Sequence, residues 1–236
     1  MINLIVVGIC GKMSGSVVSA IDQEQDMQIV SGIEAVGHPL ISQPIGKGFI
    51  QANLSSIIKE ADVVAEFAIP EITLDNIRIA AKAKKPYIIG TTGLKDLSKI
   101  KQYADKIPIL ISTNFSLGVN VLFNLTQKTA QALKDFDIEI IEAHHKTKRD
   151  APSGTAKKLA EVISIVGGNN PTVHSIRAGD IVGEHTVMFT GKGERLELIH
   201  HATSRNAFAN GVIKAIRFMY KQKPGLYAMQ DVLFSK

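Results

Sequence analysis

The chain has 236 residues, 45% hydrophobic and 21% charged, which gives room for one large or two small domains with a sizeable core and excludes a low-complexity or fibrous chain. Its net charge of +5 is mild, and on charge alone a site for acidic small molecules and a nucleic-acid surface are equally served. No apolar run approaches the roughly 20 residues that span a bilayer, the N-terminus lacks the regions of a secretory signal, and one cysteine, Cys10, cannot make an internal disulfide; no membrane partner is expected and the expected location is cytoplasmic.

Short apolar runs alternate with helical patterns over the first half. Residues 3–8 (NLIVVG) read as a buried strand, residues 12–21 as a helix and residues 27–33 (MQIVSGI) as a second strand. Strands at residues 63–68, 86–90 and 108–112 follow, with a helix at 71–83. Short strands separated by helices predict βαβ units and a parallel sheet covered on both faces. An amphipathic helix at 119–133 leads to a strand at 138–143, and another helix opens at Gly154 and Thr155. The rhythm then changes: HSIRAG, HTVMFTG and ERLELIHHA are strands with no room for helices between them, so their sheet is antiparallel or mixed. A helix at 207–220 and the tail LYAMQDVLF close the chain. With no repeat or long linker, the second unit is inserted into the first or packed tightly on it.

The first strand runs into VVGICGKMSGS, a glycine-rich turn before a helix, where a dinucleotide fold seats its pyrophosphate. Against the G-x-G-x-x-G fingerprint the chain has Gly8 and Cys10 at the first two places and Ser14 one residue past the third, with further glycines at Gly11 and Gly15; the pattern is loose but the position is right. Glu34 stands at the end of the second strand, where a carboxylate accepts hydrogen bonds from ribose hydroxyls. The plainer reading is a glycine turn with an exposed glutamate. Cys10 reads as a small turn residue and not a nucleophile, since no base is placed beside it. Two more turns, GTTGL at 90–94 and STNFSLGVN at 112–120, follow strand ends and point to a shared cofactor cleft, although either serves equally as a capped loop.

Residues 142–155, EAHHKTKRDAPSGT, set His144 and His145 beside Lys146, Lys148 and Arg149 and before a helix start at Gly154 and Thr155. Imidazoles that titrate near neutrality, fixed cations and unpartnered helix N–H groups suit protonating and holding a small dianion. A solvated basic loop with an ordinary N-cap is the alternative.

Taken in order, GxxGxM at 8–13, GTTG at 90–93, NFSLGVN at 114–120, EAHHKTKRDAPSGTA at 142–156, RAGDIVGEHTVMF at 177–189, GERLELIHHATSR at 193–205 and FANGVIKA at 208–215 closely resemble the 4-hydroxy-tetrahydrodipicolinate reductase family of the diaminopimelate-lysine pathway. The resemblance spans essentially the whole chain. It implies an α/β fold: a Rossmann-like parallel-sheet nucleotide domain at 1–115 and 206–236, with an inserted α+β domain at 116–205 whose open mixed sheet assembles homotetramers. By matching positions, Gly8, Ile9, Cys10, Gly11, Lys12, Met13, Glu34, Gly90, Thr91, Thr92, Ser112, Thr113, Asn114 and Phe115 would line the cofactor. His144 would be the catalytic proton donor or acceptor and Lys148 a second proton donor and carboxylate partner. His145, Gly154 and Thr155 would contact a small dicarboxylate substrate, and no metal is implied. Closure of the two domains would bring the nicotinamide to the substrate ring.

Three positions depart from the family pattern. Ser14 stands where a third glycine is usual. Glu66-Phe67-Ala68 replaces an aspartate-like residue, Phe and a hydroxyl residue. Ala35 stands where relatives that accept both cofactors carry an arginine after the acidic residue. A carboxylate with no neighbouring guanidinium repels the 2′-phosphate of NADPH, so NADH is the expected cofactor, with NADPH still open through Lys12 or Lys47. Two other readings stand beside this one: a Rossmann reductase of another dicarboxylate imine, such as an aspartate dehydrogenase, which the His-His-x-x-x-Lys loop before SGT opposes, and a non-enzymatic module in which HHKTKR binds nucleic-acid phosphates. Zero Trp, 6% aromatic residues and no groove-entering motif speak against nucleic acid as a partner.

Overall fold

The run INLIVV forms β1 (Ile2–Val7), buried along both faces as a central strand of a parallel sheet must be. In the computed structural model, which describes residues 1–94 and 96–235, β1 belongs to the first of two compact units. That unit runs from Met1 to Phe115 and resumes at Phe208, and the second unit runs from Ser116 to Ala207.

In the first unit β1 is followed by α1 (Lys12–Ile21), β2 (Met27–Ile33), a hairpin of β3 (Pro44–Ile45) and β4 (Gly48–Gln51), and α2 (Leu54–Ile57). Then come β5 (Val63–Glu66), α3 (Pro70–Ala83), β6 (Tyr87–Ile89), α4 (Ser98–Lys101) and β7 (Pro108–Ile111). The second unit holds α5 (Leu117–Ala132), β8 (Asp137–His144), α6 (Gly154–Ile165), β9 (Thr172–Arg177), β10 (Gly183–Gly191) and β11 (Glu194–Ala202). The chain then returns through α7 (Asn206–Met219), β12 (Gly225–Tyr227) and α8 (Met229–Phe234).

The first sheet has the order β12-β7-β6-β5-β1-β2-β4-β3 and is parallel except for the β3–β4 hairpin. From β1 the chain runs outward to β2 on one side and later to β5 on the other. The carboxyl end of β1 is therefore a topological switch point, where open α/β sheets bind ligands. The hairpin is absent from the sequence expectation because its strands are too short for a readable alternation. It is fixed by a close approach: Gly46 has φ +56°, and a Cβ there would lie 2.2 Å from the carbonyl oxygen of Ile29. The strand expected at 63–68 stops at Glu66, which frees Phe67 and Ala68 to turn out at the sheet edge.

β8 alternates: Ile138, Ile140, Glu142 and His144 point to the buried face and share it with α5 and α6, whose Leu122, Phe123, Leu159 and Ile163 complete the core. The second sheet is mixed, in the order β11-β10-β8-β9, with β8 and β9 parallel across the α6 crossover and the other pairs antiparallel.

Candidate active site

In the first unit the turn after β1 is shaped by Gly8, whose φ is +75° and whose absent Cβ would lie 2.6 Å from the Phe67 carbonyl oxygen. Gly11 caps α1 without a side-chain hydrogen bond, and the first turn carries no acidic residue, so the helix start is electrostatically open to an anion. Ser14, one residue past the third fingerprint position, is buried, and its hydroxyl donates to the Gly8 carbonyl at 2.6 Å. The serine thus closes the turn that a glycine usually allows. Glu34 folds back on the same turn: Oε2 accepts the Cys10 N–H at 3.1 Å and Oε1 its neighbour's, Ala35 N–H, at 3.0 Å. Burial pushes this carboxyl up, but the two N–H groups outweigh it and hold Glu34 below the ordinary range. An ionised carboxylate has about four acceptor sites, so after the two N–H groups and the Cys10 thiol about one remains for a ribose hydroxyl.

Gly8, Cys10, Gly11 and Glu34 line a cavity of about 740 Å³ whose apolar wall includes Ile33 and Ile72. Gly90, Thr91, Thr92, Thr113, Asn114 and Phe115 line another of about 320 Å³, together with Met13 and Phe208. Phe67 and Ala68 border both. An uncapped helix start, a free ribose acceptor and an apolar slot fit a dinucleotide.

Not every expected residue reaches these cavities. Ile9 is 5% exposed and packs with Val6 and Ile50, so its side chain serves the core. Ser112 shapes its loop, its hydroxyl donating to the Asn114 carbonyl at 2.7 Å. Lys12 is exposed at the start of α1 and lines neither cavity. Lys47 also lines neither cavity: its N–H binds the Ile29 carbonyl, and it borders a different cavity with Met1 and Glu24. The expectation that no base stands beside Cys10 is also corrected, because His38 Nδ1 lies 3.8 Å from Sγ. That nitrogen already accepts the Leu40 N–H, and burial together with Glu34 pushes the thiol up, so Cys10 stays a turn residue.

In the second unit the two-residue period of β8 places Glu142 and His144 side by side, and Nδ1–H of His144 donates to Glu142 Oε2 at 2.5 Å. A carboxylate oxygen only accepts, which assigns the proton to Nδ1 and leaves Nε2 with its lone pair. Arg177, beside His144 in the β8–β9 register, grips Glu142 bidentately at 2.8 and 2.7 Å, and the Ser153 N–H adds a bond at 3.2 Å. Burial pushes Glu142 up, but bonds from Arg177, Ser175, His144 and Ser153 hold it at about 2. His144 is pushed below its ordinary value by burial, and Glu142 opposes this only in part. His185, paired with Glu142 across β10, stacks edge-on against His144 at 5.2 Å and is lowered to about 3 by burial and by His144 itself. Gly183 leaves Nε2 uncovered, since a Cβ there would lie 3.2 Å from it.

The basic loop is ordered by its own contacts. Arg177 Nη2 donates to the Asp150 carbonyl at 2.6 Å, Lys148 Nζ pairs with the Asp150 carboxylate at 2.7 Å, and His145 Nδ1 meets the Thr147 hydroxyl at 2.7 Å. Ser153 caps α6, accepting the Ala156 N–H. Gly154 is exposed, and a Cβ there would meet nothing within 4 Å, so local packing does not require a glycine; it leaves room over the helix start, where Thr155 follows. Sequence reasoning missed Glu142, Ser153, Arg177 and His185, and in the first unit Phe208; it met Phe67 and Ala68 only as a departure from the family pattern. For Glu142 the signal was present, because residues two apart on an alternating strand share a face.

Comparison with known proteins bears on the whole chain. A family model described as dihydrodipicolinate reductase, N-terminus, matches residues 2–115, and one described as dihydrodipicolinate reductase, C-terminus, matches residues 118–233. The 4-hydroxy-tetrahydrodipicolinate reductase of Syntrophus aciditrophicus strain SB is 39% identical over 264 residues, covering 99% of this chain and 98% of its own. That of Methanocaldococcus jannaschii is 39% identical over 269 residues, covering 99% and 97%. A solved structure of dipicolinate-bound dihydrodipicolinate reductase from Paenisporosarcina sp. TG-14 shares the fold, with a TM-score of 0.85 at 24% identity and 98% of both chains covered.

Proposed function

The chain belongs to the dihydrodipicolinate reductase family, and from that premise we propose that it carries out the NAD(P)H-dependent reduction of 4-hydroxy-tetrahydrodipicolinate to tetrahydrodipicolinate, a step of diaminopimelate and lysine biosynthesis. The geometric observation that carries the reading is the imidazole of His144, tethered at Nδ1 by an ion-paired carboxylate and open at Nε2. Loss of the 4-hydroxyl as water, with a proton from the adjacent ring carbon, gives the cyclic unsaturated imine, and a reduced nicotinamide held along the Gly8–Glu34 groove would supply hydride to a ring carbon of it. The electron pair displaced by that addition accumulates on the ring as enamine or carbanion character and takes up one proton. His144 Nε2 is the donor in this reading, and general acid catalysis of this kind contributes about 10² to 10⁴-fold. Glu142 orients the ring and balances its charge when Nε2 is protonated. Because burial holds His144 neutral in the free enzyme, its proton comes with the substrate: two carboxylates arriving beside the imidazole favour the charged form.

Lys148 takes one substrate carboxylate, exchanging Asp150 for it, and acts as a second proton donor; His145 and the Gly154–Thr155 helix start take the other. NADH is the preferred cofactor. Support comes from Glu34, fixed on the glycine turn with an acceptor site to spare and followed by Ala35 with no guanidinium. Homotetramer formation uses the outer face of the second sheet, where Ile141, Ile176 and Ile199 share one face with Thr186 and the Glu139–His174 pair, with Ile199 54% and Ile176 47% exposed.

Steady-state reduction of enzymatically generated substrate with NADH and NADPH side by side tests the proposal. Turnover that needs both substrate and nicotinamide supports it, and no turnover with either cofactor sinks it.

A further inference from the structure

At the end of β5 the chain buries a carboxylate for which the reaction has no use. Glu66 is 0% exposed. Its Oε1 accepts the hydroxyls of Thr73 at 2.5 Å and Thr91 at 3.0 Å, and its Oε2 accepts the Asn76 amide at 2.8 Å and the Tyr87 hydroxyl at 2.7 Å. All four partners are neutral, and they come from α3, from β6 and from the loop after β6. Burying a carboxylate is unfavourable, and an apolar side chain at such a place serves stability at least as well. The location of the partners suggests another use for the group. Asn76 borders the larger cavity and Thr91 the smaller one. The Thr91 hydroxyl oxygen in turn accepts the N–H of Ala68, and Phe67 and Ala68 border both cavities. The Glu66 carbonyl accepts the Gly90 N–H at 2.8 Å, and the Phe67 ring lies so close to Gly90 that a Cβ there would be 2.3 Å from it. One side chain therefore holds a wall of each cavity against the segment they share.

We propose that Glu66 is a positioning residue for the dinucleotide: it sets Thr91 and Asn76 relative to the Phe67–Ala68 bridge, so that the nicotinamide and adenosine halves of one cofactor seat in register. The proposal rests on the reading of this groove as the cofactor site. It predicts that disturbing Glu66 weakens the whole dinucleotide more than either half.

The test uses the full chain and its Glu66→Gln and Thr91→Val variants. A carboxamide brings an N–H₂ group to a point where four donors converge, so at least one partner loses its acceptor. The Kd for NADH, read by nicotinamide fluorescence, and the KM for NADH should rise about tenfold in Glu66→Gln, the loss expected for a disrupted hydrogen-bond set. The Kd for 5′-AMP, the KM for the dicarboxylate and kcat at saturating NADH should stay within about twofold. Thr91→Val should give a smaller rise, and the double variant should be no worse than Glu66→Gln alone, because the two changes break one linkage. A Glu66→Gln protein that melts lower yet binds NADH as the wild type does would overturn the proposal and leave a purely structural carboxylate. If Glu66→Gln does not fold, Thr91→Val decides, and an unchanged NADH Kd there overturns it. Absence of turnover in the wild type would instead undo the assigned reaction, while the fluorescence Kd still decides the role of Glu66.

Discussion

At the scale of single residues, the chemistry turns on which nitrogen of His144 is free. Glu142 takes Nδ1–H and Gly183 leaves Nε2 bare, so in the proposed reading the imidazole would hand over a proton only from Nε2. His144→Ala should lower kcat by roughly 10² or more with the NADH Kd unchanged, because the ring acts on the substrate and not on the cofactor. Equal kcat in mutant and wild type would remove His144 from the reaction. The pH profile follows from the depressed proton affinity of His144. As the donor must be protonated, kcat/KM for the dicarboxylate should rise as pH falls below the ordinary histidine value. Groups facing His144 are Glu142, Arg177, Lys148 and His185. Glu142→Gln removes the one anion among them, so the rise should move to still lower pH; a profile that keeps its midpoint would mean that Glu142 only holds the loop. Gly183→Ala puts a methyl group 3.2 Å from Nε2 and should lower kcat on the order of tenfold while sparing NADH binding, since a small displacement at the reacting atom is expensive.

At the scale of elements, the turn between β1 and α1 and the end of β2 act together through Glu34. Its carboxylate bonds the glycine turn from 24 positions away in sequence, so the side chain proposed to choose the cofactor also holds the turn. A charged hydrogen bond is worth about 1.5–3 kcal/mol, which corresponds to an expected preference for NADH of roughly ten- to a hundredfold in kcat/KM. Ala35→Arg should raise efficiency with NADPH and change that with NADH little; a wild type that already prefers NADPH contradicts the assignment. The second sheet carries a different liability. His185 is held neutral, at about 3 against an ordinary 6.5, so the unfolded chain binds its proton more readily. The stability this contributes is complete above pH 6.5 and is lost as pH falls from 6.5 toward 3, at up to about 1.4 kcal/mol per pH unit. Glu142 adds a loss below its ordinary 4.5, down to about 2. The melting temperature should therefore drop between about pH 6.5 and 4, and His185→Gln should flatten that slope. These two sheets also mark what the chain alone discloses. The buried runs 27–33 and 108–111, and the helix at 12–21, were legible because both faces of a parallel sheet are apolar and the helical period is local. The pairing of Glu142 with His144 was legible in principle, being two residues apart on one strand. Arg177 and His185 were not, because they meet Glu142 only through the register of β9 and β10, which local periodicity does not encode.

At the scale of the whole molecule, the outer face of the second sheet is where the proposed assembly is tested. Ile199→Asp puts a charge on the exposed face of β11, away from His144, and should shift the protein from the proposed tetramer toward smaller species in sedimentation. Unchanged mass at micromolar concentration would move the interface elsewhere. The split first unit has a further consequence, in time. Its sheet gains β12 only from residues 225–227, and the buried residues Val212, Ile213, Ile216 and Met219 of α7 arrive after every residue of the second unit. A ribosome releasing this chain therefore delivers the second unit complete while the first still lacks its edge strand and a helix of its core. During vectorial synthesis His144 can be in its final surroundings before the first unit is finished, and the exposed edge of β7 is the interval's aggregation hazard until the last residues emerge.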